Sequence, residues 1–173
     1  MDSSFVIPAV LFVVCLAIRS VYELLKESRK INPENKLIFV AIFSSMCALW
    51  VSWFTLCPAD PLRLQIPIPV QWIGLAIFVL GTVLAVGALI QLRGVENIDH
   101  LVTSGLFKKL RHPMYLGFIF WIVGWGLYHS APASLVIGIL GIACVLWWRR
   151  LEETRLEVQF GNRYREYRLT TWF

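Results

Sequence analysis

Five apolar runs, near Phe5–Tyr22, Leu37–Cys57, Val70–Ile90, Tyr115–Tyr128 and Pro132–Trp148, constrain this chain more than any other feature. A helix needs roughly 20 mostly apolar residues to cross about 30 Å of hydrocarbon, and within that layer every backbone N–H and C=O must be paired inside the segment. The runs therefore predict an all-α, polytopic membrane protein with about five transmembrane helices, the fourth of them short. Composition agrees, since 58% of the residues are hydrophobic, against about 45–50% in a soluble domain. We expect a single integral membrane domain over residues 1–173. Residues 1–90 would form three N-terminal helices, and 91–173 a polar connection, a helical hairpin and a short cytosolic C-terminal helix.

Charge orients the chain. Of sixteen Lys and Arg, five surround the first connection (Arg19, Lys26, Arg29, Lys30, Lys36) and only Arg63 lies in the second. Four lie in the third (Arg93, Lys108, Lys109, Arg111) and six follow the last run (Arg149, Arg150, Arg155, Arg163, Arg165, Arg168). Fifteen of the sixteen thus share one face, and the positive-inside rule places the N-terminus outside and the C-terminus in the cytosol. The net charge of +5 suits a face that meets anionic membrane lipids, so nucleic acid is not an expected partner. Asp2 precedes the first run and no basic residue does, so that run reads as a membrane helix rather than a cleaved signal. Cys15, Cys47, Cys57 and Cys144 lie singly in or beside apolar runs, without paired spacing or a nearby His. Neither a disulfide nor a metal site is expected of them.

Two polar clusters bracket the last two runs. The first is Leu101-Val102-Thr103-Ser104-Gly105 followed by Arg111-His112-Pro113-Met114-Tyr115-Leu116-Gly117, in the longest connection, from Gln91 to Arg111. Long connections in compact domains are more often functional than idle. Pro113 suits the first turn of a helix and pushes His112 toward extended backbone, so the motif predicts a loop-to-helix junction with His112 and Tyr115 facing one pocket. The second cluster runs from Glu152-Glu153 through Phe160-Gly161 to Tyr164 and Tyr167. Arg149 to Phe160 reads as a charged helix ended by a left-handed Gly161. Only His129-Ser130-Ala131-Pro132 joins the fourth and fifth runs, and their glycines predict a tight antiparallel hairpin, because small residues let helices approach closely in lipid. Such a hairpin brings His112 back to Glu152 and Glu153. By contrast, the proline-rich segment Pro58 to Pro69 is expected only to connect two helices on the outer face.

These motifs, taken together and in this order, resemble the isoprenylcysteine carboxyl methyltransferase family of integral membrane enzymes, including its prokaryotic relatives. The resemblance covers roughly Gln91 to the end. It implies a cytosol-facing pocket for S-adenosylmethionine and a lipid-side opening for a lipid-like or prenylated substrate, in a bacterial or archaeal cell membrane. The family's cofactor contacts, carried over, fall on His100, Leu101, Val102, Phe107, His112, Pro113, Met114, Tyr115 and Glu152, with Gln91 as a further match if one gap is allowed. A family arginine that contacts substrate aligns with Trp148, leaving Arg149 and Arg150 beside it as candidates. Phe107 replaces a tyrosine of the eukaryotic enzymes, losing a hydroxyl but keeping a ring able to stack. The chain stops at Thr171-Trp172-Phe173, without the proline-containing tail of many members, which implies a more open site.

Displacement at a sulfonium requires positioning and a dry site. A carboxylate acceptor is already ionised near neutral pH, since an unperturbed carboxyl titrates at roughly 3.5 to 4, and it needs an arginine to hold it. An amine acceptor must lose a proton, for which Glu153 is the nearest general base. Bacterial phospholipid N-methyltransferases share much of the pattern, so amine methylation is the alternative, followed by a nicotinamide-dependent membrane reductase and a non-enzymatic membrane protein. Plainer roles compete at each position. His112 would then cap a helix, Glu152 and Glu153 would pair with Arg149 and Arg150, and Tyr164 and Tyr167 would pack the tail or anchor it at headgroups.

Overall fold

The computed structural model describes residues 3–28, 35–92 and 101–173. Its helices are α1 (Ser3–Glu27), α2 (Lys36–Leu56), α3 (Ile68–Leu92), α4 (Pro113–Tyr128), α5 (Pro132–Phe160) and α6 (Asn162–Thr170), with a 3-10 turn over Gly105–Lys108. The chain is an all-α polytopic membrane protein. α1, α2, α3 and α5 are long and apolar enough to cross a bilayer, while α4 has 16 residues, about 24 Å at 1.5 Å per residue. The exterior of the long helices is apolar, with Val51, Val83 and Val136 among many exposed aliphatic side chains, as hydrocarbon solvent allows.

Two boundaries differ from the sequence expectation. Gln91 belongs to the last turn of α3 rather than to the connection. The charged segment after Trp148 is not a separate helix, because α5 runs unbroken from Pro132 to Phe160 and no glycine or proline interrupts it at the interface. Gly161 does end it with a positive φ of 55°, but its ψ of −128° turns the chain straight into α6 instead of a left-handed cap.

The closest helix pair is also not the one that the glycines suggested. Gly117 and Gly124 of α4 face α3: a Cβ on Gly117 would lie 2.6 Å from the Gly81 carbonyl, and one on Gly124 2.7 Å from that of Gly74. Gly74 and Gly81 are seven apart, as are Gly117 and Gly124, so two full turns of each helix meet backbone to backbone in antiparallel register. α4 and α5 pack less extensively than α3 and α4, through side chains such as Leu135 against Gly126 and Ile122 against Gly138. Tryptophans tie the layers together. The Trp53 and Trp125 indoles donate to the backbone carbonyls of Trp121 (3.3 Å) and Phe54 (3.1 Å), and Trp121 donates to Thr82 Oγ1 (2.9 Å).

The proline-rich segment does more than connect. Asp60, buried, accepts from the Ser134 backbone N–H (2.6 Å) and hydroxyl (2.7 Å) with one oxygen, and from Leu62 N–H with the other (2.8 Å). It thereby satisfies the first turn of α5, whose own flanking residue Ala131 makes no side-chain cap. We expect Asp60→Ala to cost roughly 1–2 kcal/mol, read as a lower thermal unfolding midpoint in detergent. An unchanged midpoint would remove this residue from the cap.

Candidate active site

The ends of α1, α3 and α5 and the start of α4 meet around one cavity. His112 precedes Pro113 with φ −128° and ψ 60° and makes no cap hydrogen bond to α4, so its buried imidazole serves another purpose. Nε2 lies 3.3 Å from Glu153 Oε1 and Nδ1 4.0 Å from Glu152 Oε1. The shorter approach lacks hydrogen-bond alignment, and Nε2 has no such partner among the described residues. Tyr115, on the first turn of α4, donates its hydroxyl to Glu152 Oε2 at 2.7 Å. Its ring centroid is 5.7 Å from that of His112. The junction and the acidic pair, 37 residues apart in sequence, therefore do meet.

The two glutamates differ. Glu152 is about one third exposed and faces the cavity. Glu153 accepts from Arg111 Nε at 3.3 Å and lies past Trp148, outside the apolar stretch of α5. The adjoining His112 imidazole, and then the guanidinium groups of Arg111 and Arg149, overcome its partial burial and hold its carboxyl at about 2. A carboxylate so low is a poor proton acceptor near neutral pH.

The last residues lock the junction in place. Trp172 pairs with Leu110 in a parallel bridge. Arg111 N–H donates to the Trp172 carbonyl (3.2 Å), and His112 N–H to that of Phe173 (3.0 Å). Arg111 Nη1 reaches the carbonyls of Arg168 (3.1 Å) and Thr171 (2.6 Å). Tyr167 donates to the Phe107 carbonyl at 2.6 Å. Burial pushes the hydroxyls of Tyr164 and Tyr167 up to about 12, so both are neutral donors near pH 7. The Tyr164 hydroxyl, buried, has no hydrogen-bond partner among the described residues.

The cavity holds about 460 Å³, within the range of roughly 300–1,000 Å³ usual for small-molecule sites. Its polar lining includes Arg111, His112, Tyr115, Glu152, Tyr164 and Tyr167, and its apolar lining Phe43, Met46 and Trp50 of α2 with Ala85, Val86 and Leu89 of α3. Leu101, Val102, Phe107, Pro113 and Met114 also line it. His100 lies outside the described residues. Gln91 is off the wall: its Oε1 accepts from Leu106 N–H at 3.0 Å, and its carboxamide packs against Gly105, whose φ of +59° favours glycine. It thus props the 3-10 turn that presents Phe107. Arg149, Arg150 and Glu153 are likewise not on the wall. Arg149 sits 4.7 Å from the Phe173 ring centroid, Arg150 is exposed and Glu153 faces Arg111.

Arg19, Glu23, Lys26 and Arg155 also line the cavity, and none of them was a sequence candidate. Glu23 is fully buried, paired with Arg19 Nη2 and accepting from Arg155 Nη2 at 2.8 Å. A signal existed, because Arg19 falls inside the first apolar run and ionisable groups at membrane depth are functional candidates by default.

A family model described as phospholipid methyltransferase matches residues 70–163. Protein-S-isoprenylcysteine O-methyltransferase of Dictyostelium discoideum is 25% identical over 144 residues, covering 77% of this chain and 58% of the relative. Protein-S-isoprenylcysteine O-methyltransferase B of Arabidopsis thaliana is 34% identical over 108 residues (54% of this chain, 53% of the relative). Methanethiol S-methyltransferase of Pseudomonas deceptionensis is 35% identical over 81 residues (46% and 30%). The matched region spans less than two thirds of each relative's length. No solved structure matches.

Proposed function

This chain belongs to the phospholipid methyltransferase family, and from that premise we propose that it transfers a methyl group from S-adenosylmethionine to a hydrophobic, lipid-like acceptor at the cytosolic membrane face, the accepting group being a carboxylate. The observation that carries the reading is the Tyr115–Glu152 pair, 2.7 Å apart, on the wall of a cavity that apolar residues of α2 and α3 also line.

The residues present fit such a methyl donor. His112 Nε2 and the Tyr164 hydroxyl are buried polar atoms without hydrogen bonds among the described residues, and buried polar groups ordinarily have partners. Glu152 would accept from amino or hydroxyl groups, His112 and Tyr164 would meet further polar edges, and Leu101, Val102, Phe107 and Met114 offer an apolar wall to an adenine. When bound, S-adenosylmethionine supplies an electrophilic methyl group on a sulfonium. The protein's part is to hold the partners in line and exclude water, and the largely apolar wall favours both.

The state of Glu153 supports a carboxylate acceptor over an amine. A carboxylate arrives ionised, whereas an amine must be deprotonated, and Glu153 is paired with Arg111, off the wall and held at about 2. The basic residues beside the junction, Lys108, Lys109 and Arg111, and those after Trp148 support the cytosolic assignment.

Calorimetry of S-adenosylmethionine and S-adenosylhomocysteine with the detergent-purified protein tests the reading. Saturable binding is expected, weakened on the order of 10-fold or more in His112→Ala. Absence of binding in several lipid compositions would overturn it. Lipid extracts labelled from the methyl donor then identify the acceptor, since methyl esters are released by base and N-methyl groups are not.

A further inference from the structure

A second charged centre lines the same cavity beside the Tyr115–Glu152 pair. Arg19 and Glu23 are four apart on α1 and so share a face. Glu23 is 0% exposed. Arg19 pairs with its Oε1, and Arg155 Nη2 donates to its Oε2 at 2.8 Å. The Arg19 guanidinium is seated 5.2 Å from the Tyr22 ring centroid and 5.9 Å from that of Trp148. Burying such a group is costly and weak evidence of stabilisation, so its position on a cavity wall asks for another explanation.

Arg155 offers one. It lines the cavity, yet its Nη1 is buried and has no hydrogen bond among the described residues. Glu152 is near enough to act on Arg155 electrostatically, but it accepts from Tyr115. The guanidinium is thus anchored through one nitrogen and lacks an acceptor at the other. Its planar fork is suited to two oxygens of a carboxylate or phosphate.

We infer that Arg155, aimed by Glu23 of α1 and flanked by Arg19, recognises the anionic end of the acceptor, a carboxylate or phosphate carried on an apolar chain. This rests on the proposed transfer to a lipid-like acceptor, and it gives the site a means of distinguishing an anion from a neutral lipid. Phe43, Met46 and Trp50 line the same cavity and suit the chain attached to that anion. Glu23 acts as a positioning residue. It also gives α1, which lies outside the family-matched segment, a direct part in specificity.

The test uses the protein in phosphatidylcholine nanodiscs and two pairs of probes, N-acetyl-S-farnesyl-cysteine with its methyl ester and dodecyl phosphate with dodecanol. Binding is read from tryptophan fluorescence, with S-adenosylhomocysteine affinity measured in parallel. At least one acid is expected to bind roughly 10-fold more tightly than its neutral partner, and the responding pair tells carboxylate from phosphate. Arg155→Gln removes that preference and Glu23→Gln reduces it, while nucleoside affinity is unchanged. If the glutamine variant does not fold, Arg155→Lys keeps the charge but not the fork, and its preference should fall several-fold. Equal binding of acid and neutral probe in both pairs overturns the inference. So does a preference that survives unchanged in the Arg155 variants, or a loss confined to nucleoside affinity. A wild-type protein that prefers the acid but binds no S-adenosylhomocysteine supports anion recognition and sinks only the methyl-transfer reading.

Discussion

Replacing Glu152 with Gln is expected to weaken S-adenosylmethionine binding on the order of 10- to 100-fold, about 1.5–3 kcal/mol, because the change removes a charged acceptor while keeping its shape. The carboxylate takes the Tyr115 hydroxyl at 2.7 Å and keeps a second oxygen 4.0 Å from His112 Nδ1. It is therefore oriented by the protein before any ligand arrives. Tyr115→Phe leaves the charge in place and should cost only several-fold in affinity. With about one third of Glu152 exposed, its amide variant should fold normally, so equal thermal midpoints would confine the effect to the site. Calorimetric affinity for both variants equal to wild type would exclude Glu152 from donor binding. Carbon-labelled methyl transfer measured on the same samples should follow the affinity loss at low donor concentration and recover in part at saturation.

Gly117→Leu or Gly124→Leu is expected to be the most damaging substitution to the fold, with a loss of roughly 3 kcal/mol or more. A Cβ on Gly124 would stand 2.5 Å from Phe78 N, and one on Gly117 2.6 Å from the Gly81 carbonyl. Both contacts are with backbone, which has no rotamer to yield. Separation of α3 from α4 would also displace the chemistry, since the last turn of α3 carries Gln91, which props the 3-10 turn, and α4 begins just after His112. Gly87→Ala provides the contrast. Its Cβ would meet only the Leu106 Cδ1, at 2.9 Å, a side-chain end that can rotate. Thermal unfolding in detergent should show little change for Gly87→Ala and a large drop, or no folded protein, for the other two. Comparable midpoints for all three would show that the α3–α4 contact is not what holds the bundle.

The extent to which these features were legible follows from the range over which each is decided. Helix identity depends on local apolar content, so four runs matched α1 to α4 within about five residues and the fifth matched the start of α5, which continues past Trp148 to Phe160. His112 before Pro113 set its own backbone locally, and eight of the residues carried over from the family motif line one cavity. Local reasoning failed where a choice belonged to a partner. Gly117 and Gly124 announced a close helix contact but not which helix would supply it, and a glycine looks the same toward α3 as toward α5. Asp60 lay in a segment with every mark of a plain connection, because the first turn that it caps is 74 residues away.

By itself the sequence determined the solvent, where the apolar helices lie, the uneven placing of the basic residues and the motif that sets a polar junction at the head of α4. Tertiary structure alone decided the divergence of Glu152 and Glu153, neighbours of the same type. One turns to Tyr115 and the cavity and the other to Arg111, because adjacent residues on a helix point about 100° apart and only packing says what waits in each direction. Tertiary structure likewise brought Arg19 and Glu23 of the first helix against Arg155 of the fifth. No sequence spacing encodes that meeting, since it follows from how α1 packs along α5, and buried charge is tolerable there only because the partners arrive together.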